Sequence, residues 1–555
     1  MTHVGVADPE RRGVSMEVGI RFRVLVALGA TAALALTASA CTKSDGRGLA
    51  DRKTQRITVE TVFDTKTLDP ARVYDQTGRA ATKAVYDTLM TFSPDNLQTP
   101  IPDLASGFTQ SDDMMEFTFT LDKGRVFSDG SPVTADDVVF SLKRLQGIGA
   151  TASPLLEDMV INKLDELTVE IITGIPCPAL PAILTTPATA IVSKSLVEAN
   201  GGTMDAQDGA EDFLNKTSAG SGPYMLEWVD PLAEIILVKN PRYNGPQKPT
   251  YEKVIFQNAD TATQVRHLGS GLAQVAAGLE AEQATQLPEG IELHSTPSAT
   301  IVYLVLTADP SLSMIASNPR TWDAVKYALD YEELRAVGSH EAIQASGMIP
   351  FMISGHLPLG EAPTRDLEAA KEAARDAGLD KTTLTLSYPN NTDPEGLSLT
   401  RLAALIQVQL AEAGIAVELD PLHFVDAIDA YRGHRQVMGL WYWNTDYLDP
   451  TSYLAFGPGQ TVAERIGWKL DADPSIVDLI VKATTTPDPT IRKDVLSSWA
   501  RRMNDDGPFI PLVEPAMSIG YHPSVTGVHY NPVWLINVAN LGYDESRDTT
   551  EDGTP

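Results

Sequence analysis

The run Trp441-Tyr442-Trp443-Asn444-Thr445-Asp446 sets three aromatic rings directly before a carboxylate. Such a stretch reads either as a buried strand that ends in an acid or as the wall of a ligand cleft. A carboxylate sheltered beside aromatic rings needs a partner, because burying an unpaired charge is costly. The chemistry open to Asp446 is therefore capture of a cationic group such as an ammonium. The stacked faces of Trp441 and Trp443 would serve a sugar instead. Asp446, Trp443, Trp441, Thr445 and Tyr442 are accordingly the candidate ligand contacts.

The remaining chemistry-bearing residues point away from metals and catalysis. None of the nine histidines stands four residues from another or near a cysteine, so no metal site is expected. His434, the histidine nearest the aromatic run, reads as an exposed or core residue. There is no GxSxG and no HExxH. Since Ser-His-Asp triads assemble in space rather than along the chain, a hydrolase remains the alternative from a different class. No catalytic residue and no cofactor is assigned. Ser221-Gly222-Pro223-Tyr224 lacks the spacing of a phosphate cradle and reads as a loop entering a strand.

The chain has 555 residues, 43% hydrophobic and 21% charged, enough for more than one core. With 73 acidic against 43 basic residues its net charge is −30, which repels phosphate backbones and makes nucleic acid an unsuitable partner. The two cysteines, Cys41 and Cys177, form no CxxC. Arg21, Arg23 and the apolar run from Val24 to Ala38 read as a secretory signal over 1–40, with Met16 an alternative start. That run is too short to span a membrane. Ala38-Ser39-Ala40-Cys41 resembles the lipobox of lipoproteins, with Ala38 where Leu is usual, which implies a lipidated Cys41 and a membrane anchor. Plain cleavage after Ala40 is the alternative. Residues 43–55 then form a flexible tether, and Cys177 is left as a small buried hydrophobe.

These candidates need a scaffold, and its elements are visible as periodicity. Strands are expected over 57–63, 117–121, 234–239, 254–257, 301–307 and 384–388. Helices are expected over 136–145, 322–336, 367–377, 399–413 and 491–504. Thr134 with Asp137 approximates a capping box, while Gly378 and Gly414 stand where left-handed residues would end helices. The class is α/β with a mixed sheet.

The segment RVFSDGSPVTADDVVFSLKRL (125–145) closely resembles the signature of the family 5 extracellular solute-binding proteins, the oligopeptide and dipeptide receptors of ABC importers. AVYDTLMTF (84–92), SGPYMLEW (221–228), KNPRYNG (239–245), WDAVKYALDYEELR (322–335), IQVQLAEAGIAVEL (406–419) and WYWNTDYLDPTSYL (441–454) follow the same order. The resemblance implies a periplasmic-binding-protein type II fold: lobe I over 56–296, lobe II over 297–511, a return segment over 512–545 and a disordered tail over 546–555. It further implies a monomer that delivers a short peptide to ABC permease and ATPase subunits, with the peptide's α-amino group paired to the acid matched by Asp446. An oligosaccharide ligand, or a signalling receptor in place of an importer subunit, is the alternative.

Overall fold

Side-chain caps determine where the helices begin. In the computed structural model, which describes residues 54–63 and 65–548, Asp137 accepts both the N–H (3.0 Å) and the hydroxyl (2.8 Å) of Thr134 and so starts the helix Ala135–Gly147. Gly378 and Gly414 take the left-handed conformation (φ 75° and 79°) that releases the chain from helices Leu367–Ala377 and Leu399–Glu412. The single helix expected over 322–336 is instead two, Pro319–Ala328 and Tyr331–Arg335. Leu329 is extended between them, and the Asp330 carboxylate accepts the N–H of Glu333, which starts a new helix rather than continuing the old one.

The strands assemble into two large mixed sheets. In the seven-stranded sheet Arg56–Thr61 lies centrally, parallel to Lys253–Asn258 and Val275–Leu279, with Ala516–Tyr521 and Glu292–Pro297 completing one side. In the six-stranded sheet Ile301–Leu306 runs antiparallel to Met438–Trp443 and Phe509–Glu514, while Thr383–Pro389 and Ala416–Leu422 add a parallel pair. A four-stranded antiparallel sheet packs on the helix Ala135–Gly147 around Phe117, Phe119 and Leu142. Cys177 is free and partly buried against that core, where burial pushes its thiol up to about 11.

The chain passes between the large sheets twice, each time within a few residues. Ser298–Thr300 link strand Glu292–Pro297 to Ile301–Leu306, and Pro515 alone links Phe509–Glu514 to Ala516–Tyr521. The two crossings are bonded to each other, the Ser298 N–H donating to the Pro515 carbonyl at 2.8 Å. Two lobes joined by adjacent short crossings can rotate with few backbone changes. No helix among the described residues is long and apolar enough to cross a membrane. The signal segment, Cys41, nearly all of the tether and residues 549–555 lie outside the described residues.

Candidate functional site

The aromatic run forms the last strand residues before the seam between the lobes. Side chains alternate along a strand. Accordingly Met438, Leu440 and Tyr442 face the core under the helices Pro319–Ala328, Leu367–Ala377 and Leu399–Glu412, while Trp441 and Trp443 face the opposite core. That second core also takes in Phe92, Val533 and Trp534 from the other lobe, so it bridges the seam. Trp441 is 2% exposed, stacks on Tyr431 at 4.8 Å and donates its Nε1–H to Gln436 at 2.8 Å. Trp443 is partly buried against Phe456 (5.5 Å), and its buried Nε1 has no acceptor.

Beyond Trp443 the chain turns toward the other lobe. Thr445 is buried and shapes the turn, donating to the Tyr447 carbonyl and contacting the Ser452 hydroxyl at 2.9 Å. Asp449, held by Arg492 in a two-point pair (2.6 and 3.1 Å), caps the following turn by accepting from the Thr451 N–H. Between these fixed points Asp446 projects across the seam. Its Oδ1 accepts the Tyr74 hydroxyl at 2.9 Å and an Arg79 Nη2–H at 3.2 Å. Arg79 also lies 4.5 Å over the Tyr74 ring. Burial and the Asp446 charge push the Tyr74 hydroxyl up to about 12, so it stays a donor. Arg79 stands on the helix Gln76–Val85, which begins where Asp75 accepts the Gly78 N–H at 2.8 Å.

Two carboxyls grip the crossings. Glu395 Oε1 accepts the Thr300 hydroxyl at 2.6 Å, and that hydroxyl also contacts Asn444 Oδ1. Glu395 Oε2 is buried without a partner, and burial pushes the carboxyl up to about 7 despite hydrogen bonds from Thr300 and Ser298. Its φ of 44° is left-handed, a conformation that costs a non-glycine residue on the order of 1 kcal/mol and tends to mark functional segments. Next to it, Gly396 (φ 74°) lies so close to Glu280 of the other lobe that a Cβ would come 2.9 Å from that residue's Cα. At the other crossing Glu514 is fully buried. Its Oε2 accepts the Phe351 N–H at 2.8 Å, its Oε1 has no partner, and burial pushes it up to about 8.

Of the residues singled out by sequence, Trp443, Thr445 and Asp446 therefore lie together at the seam. Trp441 sits deeper in the core and Tyr442 on the opposite face. His434 is exposed at the end of helix Phe424–Arg432. Sequence reasoning did not find Tyr74, Arg79, Thr300, Glu395 or Glu514, which stand in segments far from the aromatic run and carry no motif.

The family model for bacterial extracellular solute-binding proteins, family 5, matches residues 99–462. The chain is 27% identical to the probable D,D-dipeptide-binding periplasmic protein DdpA of Escherichia coli K12, over 86% of this chain and 92% of that protein. Among solved structures it resembles the periplasmic binding protein DppA of Helicobacter pylori in complex with the peptide STSA, with a TM-score of 0.72, 23% identity and coverage of 90% and 100%. It also resembles NikA of Brucella suis in complex with Fe(III)-EDTA, with a TM-score of 0.75, 17% identity and coverage of 88% and 100%.

Proposed function

The chain belongs to the family 5 bacterial extracellular solute-binding proteins, and on that premise we propose that it captures a short peptide between its lobes and hands it to an ABC permease for import. Lobe I in this reading is built on the seven-stranded sheet and lobe II on the six-stranded one, with closure about Ser298–Thr300 and Pro515. The observation that carries the peptide is Asp446, a carboxylate on one lobe whose present partners are a cation and a hydroxyl from the other. A peptide's α-ammonium offers three donors of the same kind and takes Arg79's place when it enters. The carboxylate thereby exchanges one positive partner for another and is never left unpaired as the cleft closes over the ligand.

Binding peptides such as those named for the relatives is a role of recognition, and catalysis forms no part of it. The oligosaccharide alternative drew on two indole faces, and with Trp441 buried only Trp443 is left to offer one. We assign Cys41 as the lipid attachment point. Replacing it with Ser should move the protein from the membrane fraction to the medium, and persistence in washed membranes would refute the anchor.

The test of the peptide reading is calorimetric titration of di- and tripeptides with free and acetylated amino termini. Asp446→Ala should weaken the free-amine peptides about 30-fold or more and leave the acetylated ones nearly unchanged. Equal losses for both forms would mean that Asp446 supports the fold and reads no amino group.

A further inference from the structure

Glu395 belongs to the six-stranded lobe by connection and to the seam by position. Its turn Pro394–Gly396 follows strand Thr383–Pro389, yet it packs against strands Val275–Leu279 and Ala516–Tyr521 of the seven-stranded sheet. Gly396 has no room for a Cβ beside Glu280 of that lobe, and the Glu395 carboxyl holds the Thr300 hydroxyl of one crossing. What buries this carboxyl is therefore in part the other lobe. Parting the lobes about Ser298–Thr300 and Pro515 would draw the turn off that sheet and admit water to it.

A carboxylate buried at such a seam needs a donor or a cation for its oxygens. Oε1 has the Thr300 hydroxyl, whereas Oε2 has nothing. The titratable groups that face Glu395 are Tyr442 and Tyr453 from its own lobe, Tyr530 and Glu280 from the other, and Asp393 from its own turn. Burial pushes all three tyrosine hydroxyls up, so they stay neutral, and Tyr453 also feels the charge of Glu514. Among the described residues no cation pairs with Glu395. An ionised Glu395 is thus uncompensated while the lobes are together, and a neutral one is not. Its left-handed φ of 44° adds backbone strain, a common mark of a segment that switches between two states.

We propose that Glu395 is a proton-operated latch between the lobes: they close over a ligand with its carboxyl neutral, and loss of the proton favours reopening. This rests on the reading that ligand is captured by closure of the two lobes. Burial pushes the carboxyl of the joined lobes up to about 7, from the ordinary 4.5 that water restores when they part. The joined state therefore binds the proton more tightly, and closure takes one up. Ligand affinity falls as pH rises from about 4.5 to about 7 and levels off above. Glu514 differs, because its strand and the Phe351 N–H that it accepts both lie within the six-stranded lobe. Its proton is tied to folding rather than to closure.

The experiment is calorimetry with the free-amine di- and tripeptides between pH 5 and pH 7.5, each in two buffers of different ionisation enthalpy, which counts the protons taken up. Wild type should take up about one proton per ligand near pH 6 and lose about tenfold or more in affinity across the range. Glu395→Gln, which keeps the shape and cannot titrate, should show neither effect, while Glu514→Gln should show both. Thermal melting of each variant at each pH separates folding from closure. Small-angle scattering of the ligand-free chain decides the matter where no peptide binds: wild type should expand as pH rises through the same range, and Glu395→Gln should not. Peptide binding with the same pH slope in wild type and Glu395→Gln overturns the latch and leaves the peptide reading standing. If no peptide binds while wild type alone expands, the peptide reading falls and the latch stands. No binding and no expansion sinks both.

Discussion

Arg144 grips Asp69 and Asp208 through four hydrogen bonds of 2.6–2.8 Å, and all three side chains are 0–1% exposed. Arg79, by contrast, reaches Asp446 through a single 3.2 Å contact, and the Asp446 side chain is 37% exposed. The residue types are the same and the environments are not. Inside the first lobe Arg72 completes a closed ring of charges with Asp69 and Asp208. Burial would push Asp208 up, but its hydrogen bonds from Arg144 and Arg72 win and hold it down at about 2. At the seam the pair is half wet, so its partners can be exchanged at little cost. The ring also anchors residues 69–72, the loop that leads directly to Tyr74 and to the Asp75-capped helix bearing Arg79. A permanent ion cluster thus holds an exchangeable one in place.

The contrast is most exposed to failure at Arg144. Arg144→Ala leaves two buried carboxylates to share Arg72 alone, and breaking a buried pair by removing one partner costs about 3–5 kcal/mol. Chemical denaturation should show that loss, and a change below about 1 kcal/mol would mean that the ring is as dispensable as a surface pair.

The next largest effect concerns pH, at the crossings rather than in either pair. Glu514 is pushed up from 4.5 to about 8 in the folded protein by burial, with only the Phe351 N–H opposing. The folded state therefore holds a proton that the unfolded state has released between those values. Stability should fall as pH rises from about 4.5 to 8 and level off above. Denaturation midpoints across that range should show the slope, and Glu514→Gln should flatten it. A slope unchanged in the variant would assign the proton elsewhere.

The smallest effect sharpens the comparison from the other side. Arg79→Ala removes a partly exposed pair held by a single 3.2 Å contact and should change stability by less than about 1 kcal/mol. It should also leave amine-bearing peptides bound as tightly as before or more so, since the ammonium no longer displaces a guanidinium. Destabilisation on the scale of Arg144→Ala would show that the seam pair is structural and erase the distinction.

Much of this molecule is legible without coordinates, because local signals decide local structure. The apolar alternation of EIILVK is the strand Glu234–Lys239, and Gly378 marks the end of Leu367–Ala377. The aromatic run could be placed on a strand with an acid beyond it, since three successive rings suit a buried strand, and Met438–Trp443 is paired on both sides within the six-stranded sheet. Where two local signals competed, as at Asp330 inside an apparently continuous helical pattern, the cap prevailed.

What no reading of the chain could supply is which distant residues meet. Arg79 and Asp446 stand 367 positions apart, and Thr300 and Glu395 stand 95 apart. Whether Trp441 or Trp443 keeps a free polar edge depends on Gln436 having reached the one and not the other. Sequence determined the elements, because propensity, capping and periodicity act over a few residues. Tertiary structure alone decided the partners, because an arginine carries the same charge everywhere and only packing settles whether it is sealed in a ring or shared across a seam.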